Sequence, residues 1–455
     1  MSEALGVVWT VFWGVLVLSF LVFIHEAGHY LVSRLLNVRA TELFLGFPCR
    51  FKLSFKSRKV GTEFGVTPVL LGGYTRICGM EGMRDELLAP ALDLVTKRGR
   101  ITAQELADEL GIDLDRAYGL LEGLCEWASV QPGDHDDKAS YPDVYLSVAR
   151  DANLLTEYDR GHDFTQAGST AAGEPRETGL PPEEFLAMER GRTYEGASFP
   201  KRLAMLAAGP VVNVVFAFLV VTAALMIRGV DYVSNVNVLG SVEAGSPAAV
   251  AGLEAGDELT VVDGTDVDSW EGIVEALAAP LAEGRDFDVT FVRDGSERTV
   301  TVDLPDGEPT DLVGVTATVE TYHPDLVEAS SFTLDYVRQV AVAISRLLQP
   351  QHTMEVLDQS SSVVGIAVMA SSAASAGVYD LAVVVAAISL SLGLMNLLPI
   401  PPFDGGKILI EVVQAVIRRP LPPRAVAALS YVGLAFVLFV FVVVLKNDVV
   451  RIFLG

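Results

Sequence analysis

Four stretches of the chain, residues 7–36, 203–227, 378–398 and 425–445, are predominantly apolar. Each is long enough to read as a membrane-spanning helix, which needs about 20 such residues. The polar and mixed segments between them predict different elements. Residues 62–74 combine β-branched and aromatic side chains with glycine punctuation, the pattern of a short hairpin or sheet. Residues 101–121 read as helix, turn and helix, with Thr102 and Asp113 placed as caps. From about 235 to 305 the pattern is β-rich: a short helix opened by Ser246-Pro247, a glycine turn and strand, a helical stretch over 269–281, and alternating strands at 288–292 and 298–304. Residues 159–182, rich in Gly, Ser, Thr, Pro and acids, predict a flexible linker, and 327–348 is moderately amphipathic.

The expected fold is thus a multi-pass α-helical membrane protein of about four spans, with a membrane-associated β element and two soluble parts. Expected boundaries are 1–80 for the first span and β element, 81–198 for an insertion, and 199–230 for the second span. They continue with 231–310 for the β-rich domain, 311–377 for a connecting amphipathic segment, and 378–455 for the last two spans.

Composition agrees. The 455 residues are 51% hydrophobic yet carry a net charge of −25, so apolar spans must alternate with acidic soluble parts. The first span lacks a basic amino-terminal flank and a small-residue cleavage site, so it is expected to be retained. Basic residues follow it at Arg34, Arg39, Arg50, Lys52, Lys56, Arg58 and Lys59, precede the second span at Lys201 and Arg202, and lie between the last two at Lys407, Arg418, Arg419 and Arg424. Positive loops stay in the cytoplasm. Both termini and the β-rich domain are therefore expected outside, and the insertion inside, as a winged-helix-like cytoplasmic domain. Cys49, Cys78 and Cys125 are expected to be free thiols there.

The insertion is acidic, and its second helix sets Asp115, Glu122 and Glu126 against one Arg116. Nothing in it attracts phosphate, so no nucleic-acid partner is expected. A cytoplasmic protein-docking or regulatory role, with a protein partner, is expected instead.

The candidate chemistry begins with His25-Glu26-Ala27-Gly28-His29, set inside the first apolar stretch. Ionisable residues within a span are a functional-site hypothesis by default. Four apart on a helix, His25 and His29 share a face and can reach one metal, while Glu26 is placed to polarise a water beside it. A zinc hydrolase then needs a third ligand. Asp404 is the only acid near the end of the third span, in an expected unwound Pro-rich turn, Asn396 to Gly406, that would aim its carboxylate inward. A metal-transport path would use the same ligands. It would also need polar residues along several spans, and few are present. An inactive membrane scaffold would not need the intact set. His135, His162, His323 and His352 are expected at the surface.

His-Glu-x-x-His near the start and Asn396-x-x-Pro399-x-Pro401-x-x-Asp404-Gly405-Gly406 near the end together resemble the bacterial site-2 protease family, intramembrane zinc metalloproteases of regulated intramembrane proteolysis. Phe199-Pro200-Lys201-Arg202 and Ala208-Gly209-Pro210-Val211-Val212-Asn213 add to the likeness, which covers about 1–80 and 199–455. The resemblance implies Zn2+ held by His25, His29 and Asp404, with Glu26 as catalytic base. It implies substrate contacts at Asn396 and Pro399, with Asn213 as a further candidate. It implies a bacterial cytoplasmic-membrane enzyme embedded in the lipid bilayer, with its active site toward the cytoplasm. The substrate it implies is a single-span membrane protein, such as a membrane-anchored anti-sigma factor, already trimmed outside. The β-rich domain, residues 231–310, resembles a PDZ domain through its run 244–264 and the elements after it, as either a peptide binder or a steric cap, and the 62–74 β element would offer substrate an edge. The chain departs from the family pattern at residues 361–366 and in its long insertion.

Overall fold

The computed structural model describes residues 2–70, 72–133, 141–304 and 313–453. His135 lies outside the described residues. The chain forms two compact units, residues 1–221 with 333–455, and residues 222–332.

The first unit opens with helix α1 (Ser2–Leu35), and Asn37 in the left-handed conformation, φ 62°, turns the chain away from it. Strands β1 (Ala40–Leu45), β2 (Leu53–Lys56), β3 (Glu63–Val66) and β4 (Gly73–Ile77) follow and form a sheet in the order β2-β3-β1-β4. The expected β element is therefore a sheet, but β3 and β4 are not partners. Strand β1 lies between them, parallel to β3 and antiparallel to β4. Phe44 explains the arrangement: it is fully buried, stacks on Tyr74 at 5.2 Å, and lies where Gly65 leaves no side chain in the way.

The insertion builds its own core. Helices α2 (Leu88–Arg98), α3 (Ala103–Leu110), α4 (Leu114–Glu126) and α5 (Pro182–Arg190) pack with strands β5 (Arg100–Ile101), β6 (Val130–Pro132) and β7 (Tyr145–Ser147), in sheet order β5-β7-β6. Leu92, Leu106, Leu120, Trp127, Tyr145 and Phe185 are buried together. Both expected caps are present. Thr102 and Glu105 form a reciprocal capping box, and Asp113 accepts from the Arg116 amide at 2.9 Å.

The expected flexible linker over 159–182 is instead pinned down. Thr170 exchanges backbone hydrogen bonds with Arg150, the Gly173 amide donates to Ser147, and the Arg176 amide donates to Thr96. Composition misleads here because the polar side chains and amides bond to protein rather than to water. Asp159, at the start of this stretch, belongs to a buried ionic cluster: Arg39 pairs with Asp159 at 2.7 Å and with Glu189 at 2.8 Å, Arg150 pairs with Glu189 at 2.9 Å, and Arg192 pairs with Asp159 at 3.0 Å.

Burial alone would raise the Glu189 carboxyl, but Arg150 and Arg39 hold it well below the usual range, and Arg39 and Arg192 likewise hold Asp159 down. A carboxylate held down in the folded state stabilises fully above its unfolded pKa, about 4, and loses that contribution as pH falls. Replacing Glu189 by Gln strands the buried Arg150 guanidinium and leaves Arg39 with Asp159 alone, which costs on the order of 3–5 kcal/mol. Limited proteolysis should therefore find the insertion open in Glu189→Gln at neutral pH, and open in the wild type only on acidification below about pH 4. Equal protection of variant and wild type at neutral pH would refute this account.

Helix α6 (Phe199–Arg228) returns to an apolar composition. The second unit contains β8 (Val230–Val233), β9 (Leu239–Val242), α7 (Pro247–Val250), β10 (Glu258–Val262), β11 (Thr265–Asp266), α8 (Trp270–Glu283), β12 (Phe287–Arg293), β13 (Ser296–Val302), β14 (Val315–Ala317) and β15 (Val319–Tyr322). Its main sheet runs β11-β10-β12-β13 around Leu239, Val262, Ile273, Phe291 and Val302. Ser246 and Ser269 cap α7 and α8 through the amides of Ala249 and Gly272. Strand β14 pairs with β9 and β15 with β8, so the unit takes in strands beyond residue 310, a region whose sequence pattern suggests only a connecting segment.

The chain then forms α9 (Leu326–Ser345), α10 (Thr353–Gln359), α11 (Val363–Ala376), α12 (Val378–Asn396), α13 (Asp404–Ile417) and α14 (Pro423–Phe453). Helices α1, α6, α12 and α14 are the four long and apolar enough to span a membrane, at Leu5–Leu35, Phe199–Arg228, Val378–Asn396 and Arg424–Arg451. The protein is a multi-pass membrane protein. Large apolar side chains such as Leu5, Phe12, Tyr431 and Val442 are correspondingly exposed, as lipid contact allows. Helix α11, with 14 residues, is too short to cross, and packs at its Ala367 against Gly14 of α1. Its amino terminus is satisfied from α14. The Asp448 carboxylate accepts from the amides of Ser362 at 2.6 Å and Gly365 at 3.2 Å, which explains an acid buried in a span.

Candidate active site

Helix α1 carries His25 and His29 on one face, one turn apart, both buried. Helix α6 lies against them at close range. Gly28 of α1 approaches Ala208, such that a Cβ there would stand 2.8 Å from the Ala208 carbonyl oxygen, and Gly209 abuts the two imidazoles themselves. Small residues at such a crossing let two membrane helices touch backbone to backbone.

Asp404 arrives from the far end of the sequence. After α12 the chain turns through the prolines and re-enters a helix at once, so Asp404 is the first residue of α13 rather than part of an unwound turn. Gly405 makes this possible, because a Cβ there would lie 2.3 Å from the carbonyl oxygens of Leu397 and Leu398. Phe403 is the cap residue, and an acid in a first helical turn is favoured by the helix dipole. Burial would raise the Asp404 carboxyl, but the hydrogen bond with His25 and the nearby His29 and Lys407 hold it below its ordinary value.

His25 Nε2 and His29 Nε2 stand 3.1 Å and 3.2 Å from Asp404 Oδ2 and 3.3 Å from each other. His29 Nδ1 is 2.8 Å from the Met205 carbonyl oxygen, which can only accept, so Nδ1 carries the proton and neutral His29 presents a lone pair at Nε2. That lone pair, the second imidazole nitrogen and the carboxylate oxygen all face one point, where a single cation could take all three as ligands. Ligands about 2.0–2.1 Å from a tetrahedral ion stand about 3.3 Å apart, so this donor set fits Zn2+. Among the described residues, these three form the one group of His, Cys, Asp or Glu able to hold a metal.

Glu26 is half-buried on the neighbouring face of α1. Its Cγ faces Gly73 of β4, where a Cβ would lie 3.3 Å away, and its carbonyl accepts from Thr75 Oγ1 at 2.9 Å. Among the described residues its carboxylate has no hydrogen-bond or ion-pair partner, which leaves it free to take a proton.

The other candidates are less tightly gathered. Asn396 donates to Leu392 O at 3.0 Å, one turn back in its own helix, and Pro399 is exposed. Asn213 is fully buried one turn beyond Gly209, with neither side-chain polar atom bonded among the described residues, while its carbonyl accepts from Ser389 Oγ at 3.0 Å. His162, His323 and His352 are not members of the group able to hold a metal. Two supports carry no signal of their role in the sequence: Gly209, and Glu411 on α13, which accepts from Tyr194 Oη and Arg202 Nε at 3.0 Å each. Glu411 sits two turns after Asp404, a spacing that puts it on the same helical side.

Residues 13–440 match the profile of peptidase family M50. The chain is 27% identical to "Zinc metalloprotease RasP" of Geobacillus kaustophilus (strain HTA426), covering 97% of each chain. It is 26% identical to "Regulator of sigma-W protease RasP" of Bacillus subtilis (strain 168), covering 97% of this chain and 98% of that one. It is 25% identical to "Probable protease eep" of Enterococcus faecalis (strain ATCC 700802 / V583), covering 96% and 98%. Donor geometry and a match over nearly the whole chain agree: the protein belongs to peptidase family M50, the site-2 proteases, and is a zinc metalloendopeptidase.

Proposed function

We propose that the protein cleaves the transmembrane segment of single-span membrane proteins, with His25, His29 and Asp404 holding Zn2+ and Glu26 serving as catalytic base. The convergence of those three donor atoms carries this reading. Zinc supplies acidification of water toward neutrality and uptake of charge on the scissile carbonyl oxygen. The chain does the rest. Met205 fixes the His29 ring, and the unpaired Glu26 carboxylate takes the proton of the attacking water and returns it to the leaving amine. A transmembrane helix hides its amides in its own hydrogen bonds, so it must be locally extended before attack. Strand β4, at the sheet edge beside Glu26, offers a partner for such an extended segment. Exposed Pro399, with Asn396 and Asn213, would contact it further.

Unit 222–332 supports a PDZ reading through its capped helices and four-stranded sheet, as a gate outside the membrane. The insertion supports a winged-helix-like cytoplasmic module that docks a protein partner. The Bacillus subtilis relative's name points to a membrane-anchored anti-sigma factor as substrate. Its family and intact donor set favour the protease over a metal-ion transporter or an inactive scaffold.

The test is cleavage of a panel of single-span proteins by purified full-length enzyme in detergent. Cleavage should stop on chelation and return with added zinc. Undiminished cleavage by metal-free protein would refute the proposal.

A further inference from the structure

A second polar site lies at the end of α1, five residues beyond His29. A cavity of about 270 Å3 is lined by Arg34, Asn37, Leu155, Tyr158, Asp159, Arg160 and Arg192. Three guanidinium groups face one carboxylate there, in a chain whose net charge is −25. That carboxylate is already committed: Asp159 accepts from Arg39 Nε and Nη2, Arg192 Nη1, and the amide and hydroxyl of Thr156.

Arg34 and Arg160 are left over. Arg34 is only 8% exposed, and its side chain donates to a neutral acceptor, the Tyr158 carbonyl. Arg160 is exposed, and among the described residues neither has a carboxylate within ion-pair distance. The carboxyl end of α1 favours a cation, but its partial charge is about half a unit against two full charges. A guanidinium taken out of water, as Arg34 is, without a carboxylate of its own is costly, so the cavity holds less negative than positive charge.

We propose that this cavity binds a phosphate group between Arg34 and Arg160, with the Asn37 amide at its rim. Guanidinium forks match phosphate oxygens in charge and geometry. Arg34 lies in the last turn of the span Leu5–Leu35, where the membrane surface begins, so the phosphate can belong to an anionic lipid headgroup or be free in solution. Either source would brace the helix that carries His25 and His29.

Full-length protein in nanodiscs of equal phosphatidylcholine and phosphatidylglycerol is compared by native mass spectrometry with Arg34→Gln, Arg160→Gln and the control Arg84→Gln. In parallel, thermal unfolding in phosphatidylcholine alone is followed with and without inorganic phosphate. Phosphatidylglycerol retained by wild type and control but about tenfold less by the two cavity variants identifies a lipid headgroup. Stabilisation by inorganic phosphate, lost in the same two variants, identifies a free phosphate. Equal lipid retention in all four proteins together with no phosphate-dependent shift overturns the proposal. Arg160, being exposed, keeps the test valid should Arg34→Gln not fold.

Discussion

Glu26→Gln enzyme is expected to keep its zinc and lose peptide cleavage by about 10²–10⁴-fold, the usual contribution of a positioned general base. The separation of the two effects follows from the geometry. The proposed metal donors are His25 Nε2, His29 Nε2 and Asp404 Oδ2, the group able to hold an ion, and Glu26 is not among them. Its carboxylate is unpaired among the described residues, so the amide breaks no structural bond and leaves α1 as it was. Zinc content measured beside turnover of a single-span substrate checks this. Unchanged cleavage would remove Glu26 from the chemistry, and loss of zinc with cleavage would make it a ligand.

Gly209→Ala should be nearly as damaging by another route. The added methyl would sit 2.4 Å from His29 Nε2 and 2.8 Å from His25 Nε2, well inside van der Waals contact. The His29 ring cannot swing aside, because Nδ1 is tied to Met205 O on the same helix that carries residue 209. The expected outcome is zinc affinity lowered about 10–100-fold, the scale seen when the supports of metal ligands are disturbed. Gly119→Ala is the control: it is also helical, nothing lies within 4 Å of its added methyl, and it should leave zinc binding unchanged. Wild-type zinc affinity in Gly209→Ala would show that the helices separate at no cost.

These two residues also mark the limit of what the sequence made legible. Glu26 stands out as a candidate because the pattern around it is local: histidines four apart in an apolar helix, with an acid beside the first, point to a metal-bound water. Asp404 was readable as the acid at the end of a span, although its place at the start of α13 was not. Gly209 stood within the Ala208 to Asn213 motif, yet its contact with both imidazoles is a fact of how α1 crosses α6. Arg39, Asp159 and Glu189 were opaque for the same reason. No periodicity links positions so far apart, and a Gly/Ser/Thr/Pro-rich stretch looks alike whether water or buried guanidinium satisfies it. The four spans were plain because hydrophobicity summed over about 20 residues outweighs any single contact. Strand β1 was missed because it is six residues long, and its partnership is set by Phe44 and Gly65.

The wide sequence separation of the metal donors has a consequence for biosynthesis. Both imidazoles and the proposed general base lie in the first helix, whereas the carboxylate proposed to complete the set follows only after α12. A nascent chain, or a fragment that ends before Asp404, therefore carries the proton acceptor without a full metal cage. On the proposed ligand set, hydrolysis could begin only once Asp404 has followed α12 into the folded protein.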